Sequence, residues 1–139
     1  IQHRDILGFD QVAFVVNGVK LSFFVSGNYS PVNQRIEYQG NIYLADMPAI
    51  LAMKMGVMLR RLKYRDYYDI YSIVKAGYSL RDGIEAAVKY SGHKLSSKSL
   101  MIMLSTNRIP FDSGFSQMSP IYDVSTETMR EFLIQRFNE

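Results

Sequence analysis

The chain has 139 residues, enough for one globular domain with a single hydrophobic core. Hydrophobic residues make up 47% and charged residues 21%, which excludes an intrinsically disordered chain. The net charge of +3 is mildly basic, and the absence of cysteine excludes disulfides and cysteine-based metal sites.

We expect neither a membrane span nor a signal peptide. No apolar run approaches the ~20 residues that a membrane-spanning helix needs, and the first ten residues lack the apolar core of a signal peptide. We therefore expect a cytoplasmic protein without membrane contact. The chain begins with Ile1 rather than Met, so we also expect it to be part of a longer protein.

The β-strand signals lie in the N-terminal part of the chain. Two β-rich runs, residues 11–16 and 19–25, flank Asn17-Gly18, a pair typical of a type I′ turn, and predict a hairpin. A loop is predicted over residues 27–34 because it contains glycine, asparagine, serine and proline. A third short strand is predicted over residues 42–45.

Helical signals dominate after residue 45. Asp46 is suited to be an N-cap, and Pro48 to lie in the first turn of a helix that ends near residue 60. Four further helices are expected at about 65–76, 79–90, 96–104 and from Ser125 or Thr128 onward, with an extended loop over 106–123.

This order of elements indicates the α+β class, with a small antiparallel or mixed sheet, a hairpin plus one strand, followed by a helical bundle. We assign residues 1–45 to the sheet and residues 46–139 to the helical region of one continuous domain.

Lys54 occupies an unusual position on the first predicted helix. Its neighbours one turn away on either side are all apolar: Ile50, Leu51, Val57 and Met58. Lysine is rarely buried without a partner. We therefore expect an anionic group to meet Lys54, either a carboxylate of the next helix or a bound phosphate.

A cationic segment surrounds the end of this helix. Residues 47–65 contain no acid, but they do contain Arg60, Arg61, Lys63 and Arg65. Guanidinium groups bind phosphate oxygens bidentately, and an ammonium group acts on them as a point charge. Arginines at the end of a helix also offset its dipole, so a structural interpretation stays open for them.

Asp66 and Asp69 lie one turn apart on the second predicted helix, beside its apolar stripe. Paired carboxylates at the edge of a cleft can bind Mg²⁺ or accept a proton from an attacking hydroxyl group. They can equally be structural partners of Lys54 or Arg65, and the pair taken alone favours this structural interpretation.

Two runs of the sequence resemble a known family. GVKLSFFV (18–25) and IYLADMPAILAMKMGVMLRRLKYRDYYDIYSIVKAGYSL (42–80) are similar to the AbiEii/AbiGii nucleotidyltransferase toxins. That family shows, in the same order, a strand of the type gvkvsf, a helix with a motif lysine, and the motif RgskkDfiDlyfLl followed by a helix beginning ysl. The resemblance covers about residues 18–90, and the remainder fits as a helical tail.

The resemblance implies a nucleotidyltransferase-like fold and the role of a bacterial toxin in a toxin–antitoxin or phage-defence pair. It also implies a nucleoside triphosphate, Mg²⁺, an RNA (such as tRNA) or protein acceptor, and a cognate antitoxin.

The motif residues can be matched one by one. Lys54 matches the motif lysine and Arg61 the motif arginine, and both are implied, with Arg65, to bind the triphosphate. Asp66 and Asp69 match the motif acids; Asp66 is implied to position or deprotonate the acceptor, with Asp69 in a supporting role.

The sequence departs from the family pattern in two places. Ala49 stands where the family has an acid, and the upstream glycine-rich motif with its DxD metal carboxylates is absent, since Asp5 and Asp10 do not form it. We therefore expect the ligands of Mg²⁺ to lie mostly outside this chain, and the chain alone to be inactive.

The alternative is a degenerate, non-catalytic binding module of such a system. A simple RNA-binding domain has little support, because no RNA-binding motif is present.

Overall fold

The computed structural model describes residues 3–6, 11–24 and 35–139, which fall into two compact units, residues 1–30 and 31–139. Five strands and five α-helices form within the described residues, and their strand pairings are antiparallel. The predicted α+β class is confirmed.

The first unit is a three-stranded sheet in the order β1–β2–β3, with β1 at His3–Ile6, β2 at Gln11–Val16 and β3 at Val19–Phe24. The predicted hairpin is confirmed, because β2 and β3 pair around a turn in which Asn17 and Gly18 both have positive φ, 50° and 77°. A type I′ turn needs this backbone conformation. Strand β1 was not predicted, and the loop predicted over 27–34 lies outside the described residues.

The second unit begins with a separate hairpin, formed by β4 at Arg35–Gln39 and β5 at Ile42–Ala45. The strand predicted over 42–45 is therefore present, but it pairs with β4, a strand that was not predicted from the sequence. The sequence predicted one sheet, made of the first hairpin and one further strand. The structure has two sheets instead, one of three strands and one of two. The division into domains after residue 45 stays a prediction.

Five α-helices follow, as predicted. Wherever a helix end was predicted, the observed end lies within two residues of it. They are α1 at Met47–Met58, α2 at Tyr64–Lys75, α3 at Leu80–Tyr90, α4 at Ser97–Leu104 and α5 at Thr126–Asn138. A short 3₁₀ helix at Phe115–Met118 lies within the predicted extended loop. No helix among the described residues is long and apolar enough to cross a membrane.

Local sequence explains where these helices begin. Asp46 caps α1 by accepting a hydrogen bond from the Ala49 N–H at 2.9 Å, which satisfies one of the free N–H groups at the helix start. Serines do the same for the three C-terminal helices, namely Ser79 for α3, Ser96 for α4 and Ser125 for α5. Gly77 follows α2 with φ +103°, a conformation that favours glycine.

Helix α2 contributes the most buried residues of any helix to the core and packs against α1 and α5, while α3 packs against α1. Its residues Tyr67 and Ile70 are fully buried, as is Met55 of α1. The close approach of α1 and α3 depends on Gly83, where an added Cβ would lie 2.6 Å from Leu51 Cδ2.

Tyrosines of α2 fix the irregular segment 105–125 that connects α4 to α5. The hydroxyl of Tyr67 donates to the Leu104 carbonyl at 2.6 Å, just before this segment. The Tyr68 hydroxyl accepts from the Tyr122 N–H at 2.7 Å and donates to its carbonyl at 3.3 Å. Because these bonds satisfy polar groups of the backbone, the segment has a defined course although its only regular element is the short 3₁₀ helix.

Candidate functional site

Lys54 lies between the two carboxylates of α2. Its Nζ is 3.0 Å from Asp66 Oδ1 and 2.6 Å from Asp69 Oδ2, so both acids form ion pairs with it. The contact joins the middle of α1 to the first half of α2. The expectation that carboxylates of the next helix meet Lys54 is therefore confirmed.

Asp66 is the buried centre of the cluster, with only 2% of the residue exposed. It accepts hydrogen bonds from Lys54 Nζ, from Arg61 Nε at 3.1 Å and from Arg61 Nη2 at 3.4 Å. Two cations from outside α2 thus compensate one buried charge. A carboxylate with this number of donors is well suited to hold side chains in place.

Asp69 differs from Asp66 in its access to solvent. Its side chain is 43% exposed, and Lys54 is the only ion-pair partner that it has among the described residues. A carboxylate has about four acceptor positions on its two oxygens. Asp69 can therefore accept a further hydrogen bond from a molecule that approaches from solvent.

The two cations also keep unused donors. Lys54 has three N–H groups and directs its Nζ to two carboxylates, and its side chain remains 29% exposed. Arg61 uses Nε and Nη2 and remains 55% exposed, which leaves Nη1 free of the carboxylate contacts described. The cluster can therefore bind an anion without first losing its internal ion pairs.

Opposing influences set the charge of Lys54. Burial lowers its pKa, but the hydrogen bonds and charges of Asp69 and Asp66 outweigh burial, so the pKa lies above its usual value. Lys54 is consequently an ammonium ion at neutral pH. In this state it can act as a point charge on a phosphate but not as a base.

Arg65 lies apart from this cluster. Its Nε donates to Asp112 Oδ2 at 2.7 Å, in the segment between α4 and α5. The predicted residues Lys54, Arg61, Asp66 and Asp69 thus come together, and Arg65 binds elsewhere. The sequence reading missed Asp112, which lies 47 residues from Arg65 in a loop without periodicity.

The described residues do not fit a metal centre. They contain no group of three or more His, Asp or Glu side chains arranged to hold an ion. The two carboxylates that do lie together, Asp66 and Asp69, both bind Lys54. The implied Mg²⁺ remains a prediction, with ligands expected mostly outside this chain.

Similarity to known proteins identifies the family of this chain. No curated protein and no solved structure matches the chain. Residues 18–136, most of the chain, match the family described as "Nucleotidyl transferase AbiEii toxin, Type IV TA system". This match includes the whole Lys54 cluster and extends into α5, beyond the part on which the resemblance was based. The chain therefore belongs to the AbiEii nucleotidyltransferase toxin family of type IV toxin–antitoxin systems.

Proposed function

We propose that the Lys54 cluster binds the triphosphate of a nucleoside triphosphate and presents it for transfer to an RNA or protein acceptor. The observation that carries this proposal is the set of unused N–H donors on Lys54 and Arg61, next to a half-exposed carboxylate. Phosphate oxygens are the ligands that such ammonium and guanidinium donors suit best.

In the proposed reaction, a hydroxyl oxygen of the acceptor forms a bond to the α-phosphorus of the nucleotide. The bond between this phosphorus and the oxygen that bridges to the β-phosphate breaks, and pyrophosphate leaves. The hydroxyl proton goes to a carboxylate. Lys54 and Arg61 hold the negative charge of the phosphates during transfer.

Exposure favours Asp69 over Asp66 as the proton acceptor. The resemblance implies the opposite distribution, with Asp66 on the acceptor and Asp69 in support. Asp66 is 2% exposed and already accepts three hydrogen bonds, whereas the Asp69 side chain is 43% exposed. We therefore propose that Asp66 positions the two cations and that Asp69 faces the acceptor.

The second candidate is a binding module in which the same cluster is structural. The observation in its favour is that two cations and two carboxylates compensate each other and tie α1 to α2. Under this alternative, Lys54 and Arg61 contribute to folding and a nucleotide has no specific site. The two candidates therefore differ in whether these cations bind a nucleotide.

Calorimetric titration with a nucleoside triphosphate separates the two. Because charge-assisted hydrogen bonds are worth about 1.5–3 kcal/mol, Lys54→Met and Arg61→Met should each weaken binding roughly 10- to 100-fold. Lys98→Met, at an exposed lysine of α4, is the matched control and should bind as the wild type does. Equal affinity in all four proteins, each shown to be folded by circular dichroism, would leave the structural alternative.

A further inference from the structure

Phe111 is 84% exposed although the chain on both sides of it is fixed. Ile109, two residues earlier, is buried, and Asp112, the next residue, binds Arg65 at 2.7 Å. The ring contacts Tyr64 edge to face, with centroids 6.4 Å apart and an angle of 66° between the planes. Large aromatic side chains are usually mostly buried, so this fold holds an aromatic ring out in solvent.

The turn after Phe111 is also well ordered by hydrogen bonds. Asp112 Oδ1 accepts from the Gly114 N–H at 3.1 Å, and the Asp112 carbonyl accepts from the Phe115 N–H at 3.1 Å. Phe115 then packs edge to face on Tyr64 and Tyr68, with centroid distances of 5.0 and 4.7 Å. The exposed ring is therefore preorganised, and a ligand that stacks on it would not have to order the loop first.

Two cations lie near this ring. Arg65 is half exposed beside it, and Lys63 immediately precedes Tyr64, on which the ring rests. The hydrogen bond of Arg65, and also the charge of Lys63, lower the pKa of Asp112, which places both cations close to the turn. Asp112 compensates Arg65, but Lys63 has no ion-pair partner among the described residues. The charge of Asp123 also reaches Tyr64, so two acids offset the two cations near the ring, and Lys63 is the cation left available to a phosphate.

Arg65 connects the turn that carries this ring to the helix that carries the candidate site. Arg65 lies one helical turn before Asp69, so the two side chains lie on the same face of α2. Asp112 binds Arg65, and Phe111 precedes Asp112. The ring and the Lys54 cluster are thus both anchored on the first two turns of α2, through Tyr64 and Arg65 for the ring and through Asp66 and Asp69 for the cluster.

We propose that Phe111, with Lys63 and Arg65, forms a base-stacking subsite for single-stranded nucleic acid. A base stacks on the exposed face of the Phe111 ring, and the two cations contact the phosphates that flank it. Exposed Ile121 and Met118 lie in the same segment, but an aliphatic chain offers no aromatic face for stacking. This inference rests on the proposed function in one respect: the single strand that binds the subsite is taken to be the acceptor of the nucleotide.

Tryptophan fluorescence tests this subsite directly, because the chain contains no tryptophan. Phe111→Trp introduces one fluorophore at the ring position and keeps the stacking surface. Ile121→Trp places one at a site that is 88% exposed in the same segment and serves as the matched control. Each protein is titrated with a single-stranded RNA of about eight nucleotides, with the same RNA as a duplex, and with a nucleoside triphosphate.

If the subsite exists, single-stranded RNA should quench the fluorescence of Phe111→Trp strongly and the fluorescence of Ile121→Trp only slightly. The duplex should quench the fluorescence of neither variant. Phe111→Ala should weaken RNA binding roughly 5- to 100-fold in a polarisation assay, the range that one base–aromatic stack supplies. Lys63→Ala should weaken binding and reduce its salt dependence. Nucleoside triphosphate affinity should be unchanged in Phe111→Ala, so failure of the subsite is distinguishable from failure of the triphosphate site.

Three results would overturn the subsite. The first is equal quenching of the two tryptophan variants, which would mean contact without a specific ring position. The second is quenching of Phe111→Trp by the mononucleotide as strong as that by RNA. The third is RNA affinity that Phe111→Ala leaves unchanged while binding of a protein partner, the antitoxin, is lost.

Discussion

Lys54 Nζ lies 3.0 Å from Asp66 Oδ1 and thereby joins two helices through a buried carboxylate and a partly exposed ammonium group. Asp66 also binds Arg61, whereas Asp69 contacts Lys54 from a half-exposed position. The two acids of one motif therefore lie in different environments. This difference separates a residue that holds the site together from one that can meet an acceptor.

Removal of Asp66 should destabilise the protein far more than removal of Asp69. Asp66→Ala leaves two cations beside a buried position, and loss of one partner of a buried ion pair lowers the free energy of unfolding by about 3–5 kcal/mol. Asp69→Ala removes a half-exposed partner and should lower it by less than about 1 kcal/mol. Urea denaturation followed by circular dichroism measures both, and equal losses would contradict the assignment of Asp66 as the structural acid.

Gly83→Ala should destabilise the contact between α1 and α3. A Cβ there would lie 2.6 Å from Leu51 Cδ2, and Leu51 is only 1% exposed, so its side chain cannot move outward. Overpacking of this kind costs about 1–3 kcal/mol, against a gain in helix propensity of about 1 kcal/mol. Gly56→Ala is the control, because a Cβ at that position of α1 meets no atom within 4 Å.

Thermal melts should distinguish the two glycine substitutions by their effect on the melting temperature. Gly83→Ala should lower the melting temperature, and Gly56→Ala should raise it slightly or leave it unchanged. Two stabilised variants would mean that α1 and α3 are not as closely packed as described.

Stability should fall at alkaline pH because two groups of the helical core have raised pKa values. Burial lowers the pKa of Lys54, but its carboxylate partners raise it above the ordinary 10.5, and burial raises that of Tyr67 above the ordinary 10.0. A raised pKa means that the folded protein holds the proton more tightly than the unfolded chain. The resulting stability is complete below about pH 10 and is lost as the pH rises through the folded values.

Denaturant midpoints between pH 8 and 11 measure this loss, and Lys54→Met should lose less stability over the range than the wild type. Tyr67→Phe should also reduce the dependence of the denaturant midpoint on pH. Because it removes the hydrogen bond to the Leu104 carbonyl at 2.6 Å, its midpoint should be lower than that of the wild type already at pH 8. Profiles of the same slope in all three proteins would refute the linkage.

The ion pair between Arg65 and Asp112 should add sensitivity to acid. The hydrogen bond from Arg65 lowers the pKa of Asp112, so the folded protein releases this proton more readily than the unfolded chain does. The contribution is present above about pH 4 and is lost as the pH falls through the folded pKa. Asp112→Asn should therefore lose less stability than the wild type between pH 5 and 3, measured as the shift in urea midpoint. A wild-type profile in the variant would show that this ion pair does not affect folding.

Sequence periodicity indicated the contact between Lys54 and the acids of α2 as one of two alternatives, whereas Arg61 was assigned to the site through the family resemblance. Helical spacing placed Lys54 on an apolar face, and the acids of the next helix were its nearest candidate partners in the chain. The helix starts were predictable for the same local reason, since Asp46 and the capping serines bond to N–H groups three residues away. Such signals lie within a few residues of the feature that they specify.

Contacts between distant segments could not be predicted in this way. Arg65 was assigned to the nucleotide, yet its partner Asp112 lies 47 residues away in an irregular segment. Strand β4 was missed because a hairpin partner is selected by pairing, and the short run before Gly40 has only a weak strand signal. The different burial of Asp66 and Asp69 likewise depends on the packing of α1 and Arg61 around them.

The preference for triphosphate over monophosphate tests the central claim most directly. Within the proposed triphosphate site we assign Lys54 to the two phosphates that a monophosphate lacks, so the wild type should bind a nucleoside triphosphate more tightly than the monophosphate of the same base. Lys54→Met should lose most of that preference while binding the monophosphate as before, and Lys98→Met should retain it. If Lys54→Met keeps the ratio of the two dissociation constants found for the wild type, Lys54 does not bind the triphosphate and the account is contradicted.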